Sequence, residues 1–529
     1  MNDMNRGIDD AAAAEMVSRA LDRPDLVEHT GDLPATQRAA MRLIEARAIP
    51  LRVFARDGLP TRLMTPPDEP ARFHRMTHHG ITDLVHTVSR PIRMKVNKQT
   101  GETETVPVTF PERAAKAMMD SAEWRLPAID GVAVTPLLED DGTIRAVEGY
   151  DHATRLWCSR VPDIRVPTRP SRADAAQGLR LIRDVFATFP FADAARMTAS
   201  DLDLVDTDLP PCDAESAFLN GLMTAIAKPS LDLTPGLMVT APDVSGAGSG
   251  KGLLVQAICA IAYGAPPAAF TAGTASGELD KRITSALIEA GNAIFLDNVN
   301  ATALRSDTLA SVITERPAWG RVYGETRMVL LNSTAFVAVT GNGLSVSEDL
   351  ARRFLACELD PKCDDPEARD FPDGRDGFLA TIRARRGELL TAALTIWRWG
   401  RQNDADLTKG KAFGSFETWA RWVRDPLLTL GCADPVEAIA RAKARDPRRL
   451  KLVEMFDQWW EDHHNYPVPA ARLSDAVKGI IDPQNRGRNY IVATVNAYVG
   501  TRAGGFVLTR QDAEGRWGHA TYSLKQVQS

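Results

Sequence analysis

The stretch Val239–Leu254, VTAPDVSGAGSGKGLL, constrains this chain more than any other part of it. A β-rich apolar segment, Gly236–Thr240, runs through a glycine-dense turn to Gly250 and Lys251 and on into the apolar run Leu253–Ile258. Strand, glycine loop, lysine and helix in that order make a phosphate cradle. Glycines let backbone N–H groups converge on an anion, the new helix turns its positive end toward it, and the lysine reaches the terminal phosphates. The cradle is predicted to consist of Ser245, Gly246, Ala247, Gly248, Ser249, Gly250, Lys251 and Gly252. Against the pattern G-x-x-x-x-G-K-[ST], Ser245 replaces the first glycine and Gly252 replaces the hydroxyl residue that ordinarily meets Mg2+. A glycine-rich surface loop ahead of a helix would share the pattern.

Three downstream segments narrow the choice. Ala293–Asn298, AIFLDN, is an apolar strand whose acid, Asp297, falls 46 residues after Lys251. A metal-holding carboxylate is delivered beside a phosphate loop in this way, although a buried strand ahead of a solvent-facing Asp reads the same. Thr334–Asn342, TAFVAVTGN, is a second apolar strand, and its terminal Asn342 lies 45 residues after Asp297. Glu348-Asp349-Leu350-Ala351-Arg352-Arg353 then sets two arginines at the end of a short helical segment. Each spacing suits a strand–helix–strand unit.

At 529 residues the chain exceeds one compact domain. Its net charge of −6 gives no global attraction to nucleic acid, so any such contact needs local basic patches. The six cysteines are scattered without C-x-x-C pairs and read as reduced thiols. The acidic N-terminus, MNDMNRGIDDAAAAEM, lacks the apolar core of a signal peptide. No apolar run approaches the roughly 20 residues that span a bilayer. The expectation is a soluble, cytoplasmic protein with no membrane partner. His74, His78 and His79 lack a fourth zinc ligand and are read as surface histidines.

The chain divides by pattern into six parts: a flexible leader (1–32), an N-terminal α+β and β-rich domain (33–160) with a hairpin around Lys98-Gln99-Thr100-Gly101, a helical linker (161–230), an α/β core (231–360), a helical lid (361–465) and a C-terminal domain (466–529). Helices are predicted at Ala173–Phe186, Glu215–Ala227, Thr381–Trp399 and Ser415–Thr429, the last with a core stripe of Phe416, Trp419 and Trp422. The C-terminal domain reads as helix (Ala471–Ile481), helix (Asn489–Thr501) and a two-stranded ribbon with arms Phe506–Thr509 and Ala520–Leu524, the outline of a winged helix. It holds eight basic residues against four acidic, a modest footprint for phosphate contact. A small packing domain with a solvated basic face is the alternative.

Taken together, LPAIDGVAVTPLLEDDGTIRAVEGYD, FATFPF, SGAGSGKG, FLDNV, WGRVYGET (Trp319–Thr326), TGNGLSVSEDLARRF and FGSFETWARWVRDPLLTLGCADP resemble the AAA+ ATPase/helicase of phage-, plasmid- and island-encoded primase–helicase proteins, relatives of the superfamily 3 and MCM-like helicases. The resemblance spans about Leu126 to Trp460 and implies an α/β fold with an AAA+ P-loop ATPase core, helical lid and C-terminal winged helix. It assigns ATP phosphates to Lys251, Mg2+ to Asp297 and the attacking water to Asn342. Arg352 or Arg353 becomes an arginine finger into a neighbouring subunit, which implies a ring, a hexamer. Phosphoryl transfer needs positioning and charge neutralisation, and a finger in trans is its strongest single lever.

Two departures bear on catalysis. With Gly252 at the hydroxyl position, the metal falls to Asp297 with water, or to Ser249. Asn298 stands where many relatives carry a catalytic Glu; it can orient water but cannot take a proton. Glu278 is a candidate base, or an ordinary solvated helix residue. In related rings a hairpin between the Asp and Asn strands grips single-stranded DNA in the channel, and the matching residues are Arg321, Tyr323 and Arg327. A plain structural hairpin with exposed arginines would look alike. Duplex contact is assigned to Arg486, Arg488, Arg510 and Arg516 of the winged helix. The expected activity is an ATP-driven DNA helicase or translocase for mobile-element replication, with any primase or polymerase a separate chain. The alternative is a slowly hydrolysing, ATP-gated origin-binding or loader protein. A small-molecule kinase would leave the arginine pair and the wing without a role.

Overall fold

The computed structural model describes residues 23–29, 31–66, 71–99, 101–162, 164–199, 202–242, 246–270, 276–289, 291–299, 304, 306–322, 328–331, 333–344, 350, 352–363, 366, 374–444, 447–512 and 520–527. The chain forms two compact units, Met1–Pro435 and Val436–Ser529.

The first unit opens with two three-stranded sheets. One joins Asp25–Val27, Arg90–Val96 and Thr103–Pro107, and the last two form the hairpin predicted around Lys98–Gly101. The other is the meander Val53–Arg56, Leu59–Met64 and Arg72–Arg75. Helices Leu33–Glu45, His78–Val88 and Glu112–Met119 close over a core that includes Ile44, Val85 and Met118. His78, at the start of its helix, pairs with Glu112 at 3.5 Å and stacks against His79. Short strands between Gly131 and Cys158 lead into helices Arg172–Val185 and Asp213–Ala227.

An alternating block follows: β1 (Gly236–Ala241), α1 (Lys251–Tyr263), β2 (Ala269–Phe270), α2 (Ser276–Ile288), β3 (Ala293–Leu296), α3 (Asp307–Thr314), β4 (Ala318–Arg321), β5 (Met328–Leu331), β6 (Phe336–Asn342) and β7 (Phe354–Glu358). Five strands make one parallel sheet in the order β2-β3-β6-β1-β7. Its strands are continuous apolar runs, as a sheet covered on both faces requires; β6 is buried from Phe336 through Gly341. β4 and β5 pair with each other as a separate antiparallel hairpin. The fold is thus mixed α/β, with a five-stranded parallel sheet compatible with a P-loop-like core.

Two helical expectations change in detail. The run predicted at Thr381–Trp399 breaks at Arg385 into α4 (Gly374–Ala384) and α5 (Arg386–Gln402). At the break, Arg386 donates to the carbonyls of Ile261 and Ala262 at the C-terminus of α1 and to that of Val134. Ser415–Thr429 contains a π turn, Ala420–Arg424, between short α segments. Pro426 has no N–H for the Trp422 carbonyl, and the wider turn falls just ahead of it. Phe416, Trp419 and Trp422 are buried, with the Trp419 indole donating to Thr224 at 2.7 Å and that of Trp422 to Asp140 at 2.9 Å.

Arg183 and Glu215 tie the two linker helices together. The guanidinium meets the carboxylate at 2.7 and 3.0 Å and also donates to the Thr207 and Leu209 carbonyls, with both side chains buried. Arg183→Ala leaves a buried carboxylate uncompensated and is expected to destabilise the protein by about 3–5 kcal/mol. Arg183→Met with Glu215→Leu should cost less than either single truncation. Urea midpoints of the three variants measure this.

Lys228, on the turn after Asp213–Ala227, is also buried; its ammonium donates to the Asp232 carbonyl at 3.3 Å. Burial, with Arg316 nearby, pushes its pKa from the ordinary 10.5 down to about 7. Between those values the unfolded chain binds the proton and the folded chain does not, so this group's contribution to stability rises with pH from about 7 to about 10.5. The stability of the parent relative to Lys228→Met should therefore climb across that window in urea titrations, and a flat difference would contradict it.

In the second unit, helices Pro447–His463, Asp475–Ile481 and Arg488–Ala497 accompany an antiparallel sheet. Its order is Val468–Pro469, Thr521–Gln526, Phe506–Gln511, Arg502–Ala503. Phe456 and Trp459 share a core with Leu473, Val477, Leu508 and Leu524, so Pro447–His463 belongs to this unit. Both ribbon arms are longer than the sequence suggests, and a short strand flanks each of them. Among the described residues, no helix is long and apolar enough to cross a membrane.

Candidate nucleotide site

The turn after β1 folds tightly on itself. A Cβ at Gly246 would lie 2.3 Å from the Pro242 carbonyl oxygen and 2.7 Å from Asn342 Oδ1, so only glycine fits there. Gly250, at φ +92, forms the N-terminal boundary of α1, in the left-handed region that a side chain disfavours. Beneath it lies Phe189, whose ring would meet a Cβ on Gly250 at 3.3 Å. Phe189 packs with Phe186 and Phe191, and the latter two pack on Phe218, an aromatic cushion drawn from the FATFPF segment and the helix after it.

Lys251 is the first residue of α1 and reaches back over the turn. Its Nζ donates to the Gly246 carbonyl at 2.6 Å and to Ser249 Oγ at 3.1 Å, while Ser249 Oγ donates to the same carbonyl at 2.9 Å. Burial holds its pKa below the ordinary lysine value, opposed by the negative charge of Asp297. Asp297 immediately follows β3, and Asn342 is the last residue of β6. Since β1, β6 and β3 are consecutive parallel neighbours, their C-terminal ends present the loop, Asn342 and Asp297 along one sheet edge. Strands lie about 4.8 Å apart, so the loop strand and the acid strand are about 10 Å apart with Asn342 between them. Ligands of open parallel sheets bind at this edge.

A Cβ at Gly252 would stand 3.6 and 3.7 Å from the two Asp297 carboxylate oxygens, so the position that ordinarily carries a hydroxyl faces the acid. Asp297 is partly exposed. Among the described residues no three His, Cys, Asp or Glu side chains gather as a metal site. One carboxylate beside a phosphate loop fits Mg2+ carried in with a nucleotide, which takes most of its oxygens from phosphate and water. Asn298 is exposed at φ +60 and donates its backbone N–H to Thr340 Oγ1 at 3.2 Å. Glu278 pairs with Lys281 and Arg282 on the exposed surface of α2.

The arginine pair lies elsewhere. Arg352 is exposed and Arg353 partly so, and they immediately precede β7, whose first residue, Phe354, is in register with Gly236 at the start of β1. They therefore sit at the N-terminal edge of the sheet, a full strand from the glycine loop; five steps of about 3.3 Å make roughly 17 Å. In the β4–β5 hairpin, Trp319 is in register with Leu330 and Arg321 with Met328. Alternation puts these four on one face, and Trp319 is 58% exposed there. In the second unit Arg486, Arg488 and Arg510 are all exposed. Arg486 stacks on Tyr490 and Arg510 donates to Asn496. Ser245, Tyr323, Arg327 and Arg516 lie outside the described residues.

Three residues near these sites received no individual role in the sequence reading, although each lies in a segment it singled out. Phe189, in FATFPF, and Thr340, in TAFVAVTGN, carry no signal of their own role, because that role comes from packing and strand register. Trp319 did: it stands two residues from Arg321, the period that places strand residues on one face.

These features define a mixed α/β protein whose parallel sheet carries a loop, a lysine and an acid at one edge. No protein-family profile matches the sequence, and no curated protein matches it. Among solved structures it is similar to JCV helicase with a bound thiazolopyridine acetamide compound, at 13% identity and a TM-score of 0.23, over 48% of this chain and 67% of that one.

Proposed function

We propose that this protein is an ATP hydrolase of the AAA+ type that uses Mg2+, assembles as a ring, a hexamer, and drives DNA strand separation or translocation in mobile-element replication. The observation that carries this reading is the placement of Lys251, Asn342 and Asp297 along one sheet edge, with Arg352 and Arg353 at the opposite edge. Lys251 would leave Gly246 and Ser249 to meet the β- and γ-phosphates, Asp297 would hold the metal, and Asn342 would orient the attacking water. Asn298 adds an amide near the same edge. The metal, when bound, neutralises charge developing on the phosphates. An arginine a strand length away cannot serve its own chain's site, which supports a finger acting on a neighbour. The motifs shared with primase–helicase proteins support the assignment to replication, the helical lid and a winged-helix reading of the C-terminal unit.

Single-stranded DNA is placed on the hairpin, with Arg321, Tyr323 and Arg327 as cation and stacking surface; the exposed Trp319 adds to that surface. Duplex contact is placed on Arg486, Arg488, Arg510 and Arg516. The combined substitution Arg488→Ala, Arg510→Ala should weaken duplex binding, reduce its dependence on salt concentration and leave basal ATPase unchanged. Unaltered salt dependence in filter-binding titrations would contradict the duplex assignment.

A second reading, a slowly hydrolysing ATP-gated origin-binding or loader protein, is favoured by Asn298 in place of a carboxylate and by the missing hydroxyl at Gly252. DNA-stimulated hydrolysis with unwinding of a fork supports the motor; ATP-dependent binding without unwinding supports the loader.

A further inference from the structure

Thr340 is an exception in its strand. It follows Val337, Ala338 and Val339 in the buried run of β6 and is itself fully buried. Its hydroxyl does not turn back on its own strand. It donates to Asp297 Oδ1 and accepts the Asn298 N–H at 3.2 Å. One oxygen thus spans from β6 to the end of β3, fixing the carboxylate and the left-handed turn at Asn298 together. Gly252, also beside Asp297, offers no hydroxyl, although a Cβ there would lie 3.6 Å from Oδ1.

We infer that Thr340 is a positioning residue that holds the Asp297 carboxylate from the neighbouring strand, in a site whose loop carries no hydroxyl at Gly252, and so sets Asp297 for Mg2+. This rests on the nucleotide site proposed above. Holding Oδ1 fixes the rotamer of Asp297 and leaves Oδ2 for other ligands. Partners that orient a metal ligand in this way change metal affinity by about 10- to 100-fold when removed.

The test measures binding of a fluorescent ATP analogue while Mg2+ is titrated, and again in EDTA. Thr340→Val keeps the shape and removes the hydroxyl. It should raise the Mg2+ concentration at half-maximal effect by about tenfold, with binding in EDTA unchanged. Thr340→Ser should restore the parent midpoint. Gly252→Ser, placed in the Thr340→Val background, should recover part of the loss by returning a hydroxyl to the loop side. Should Thr340→Val fold poorly, Thr340→Ala, which also removes the hydroxyl, is measured in its place and should show the same rise in the Mg2+ midpoint. An unchanged midpoint in Thr340→Val would overturn the inference, as would a Thr340→Ser midpoint shifted as far as that of the valine variant. A parent protein that binds no nucleotide, with or without Mg2+, would instead overturn the site itself.

Discussion

Lys251→Ala is expected to lower nucleotide affinity by about two orders of magnitude and to remove hydrolysis with it. Lys251 is the only cation within the loop Gly246–Gly252, and a charge-assisted hydrogen bond contributes about 1.5–3 kcal/mol. Its ammonium rests on the Gly246 carbonyl and Ser249, so phosphate oxygens would replace partners it already has. Asp297→Ala should spare binding more than turnover, because the acid acts on the metal and not on the phosphates directly. Calorimetry of ATP binding separates the two variants. A Lys251→Ala protein that binds and hydrolyses ATP like the parent would contradict the phosphate-loop assignment.

Loss of the proposed arginine finger should be the second large effect. Whichever of Arg352 or Arg353 acts in trans, its replacement by Ala should reduce turnover by about 10³–10⁵-fold while nucleotide affinity stays nearly intact. Mixing that variant with Lys251→Ala subunits should restore some activity, since some interfaces then pair an intact loop with an intact arginine. The sheet geometry makes this a strong test: both arginines precede β7 at the edge opposite the loop. A dilute monomer with full activity would rule the arrangement out.

The candidate nucleotide site was legible in the sequence because each part ends a strand or follows one closely. An apolar run followed by a polar residue signals a buried parallel strand delivering one side chain to its edge. Asp297 and Asn342 were found that way and Lys251 by its glycine loop, and β1, β3 and β6, which lead to them, are neighbours. What the sequence did not disclose is strand order. Insertion of β6 between the loop strand and the acid strand is a tertiary fact, and it is what brings Thr340 against Asp297. The same limit hid Phe189 beneath Gly250, a contact between residues 61 apart in the chain. The break at Arg385 was missed because helical periodicity continues through it, while the carbonyls that hold Arg386 belong to α1 and to Val134. In the C-terminal unit the ribbon arms were visible as alternating runs. The flanking strands Val468–Pro469 and Arg502–Ala503, two residues each, are too short to leave a pattern.

The most direct test is steady-state ATPase activity of the full chain, measured alone, with single-stranded DNA and with a forked duplex, with strand separation followed in the same reactions. A ring-forming motor should hydrolyse ATP faster on single-stranded DNA, unwind the fork, and lose both activities on Lys251→Ala. ATP hydrolysis indifferent to DNA, with the fork left intact, would contradict it.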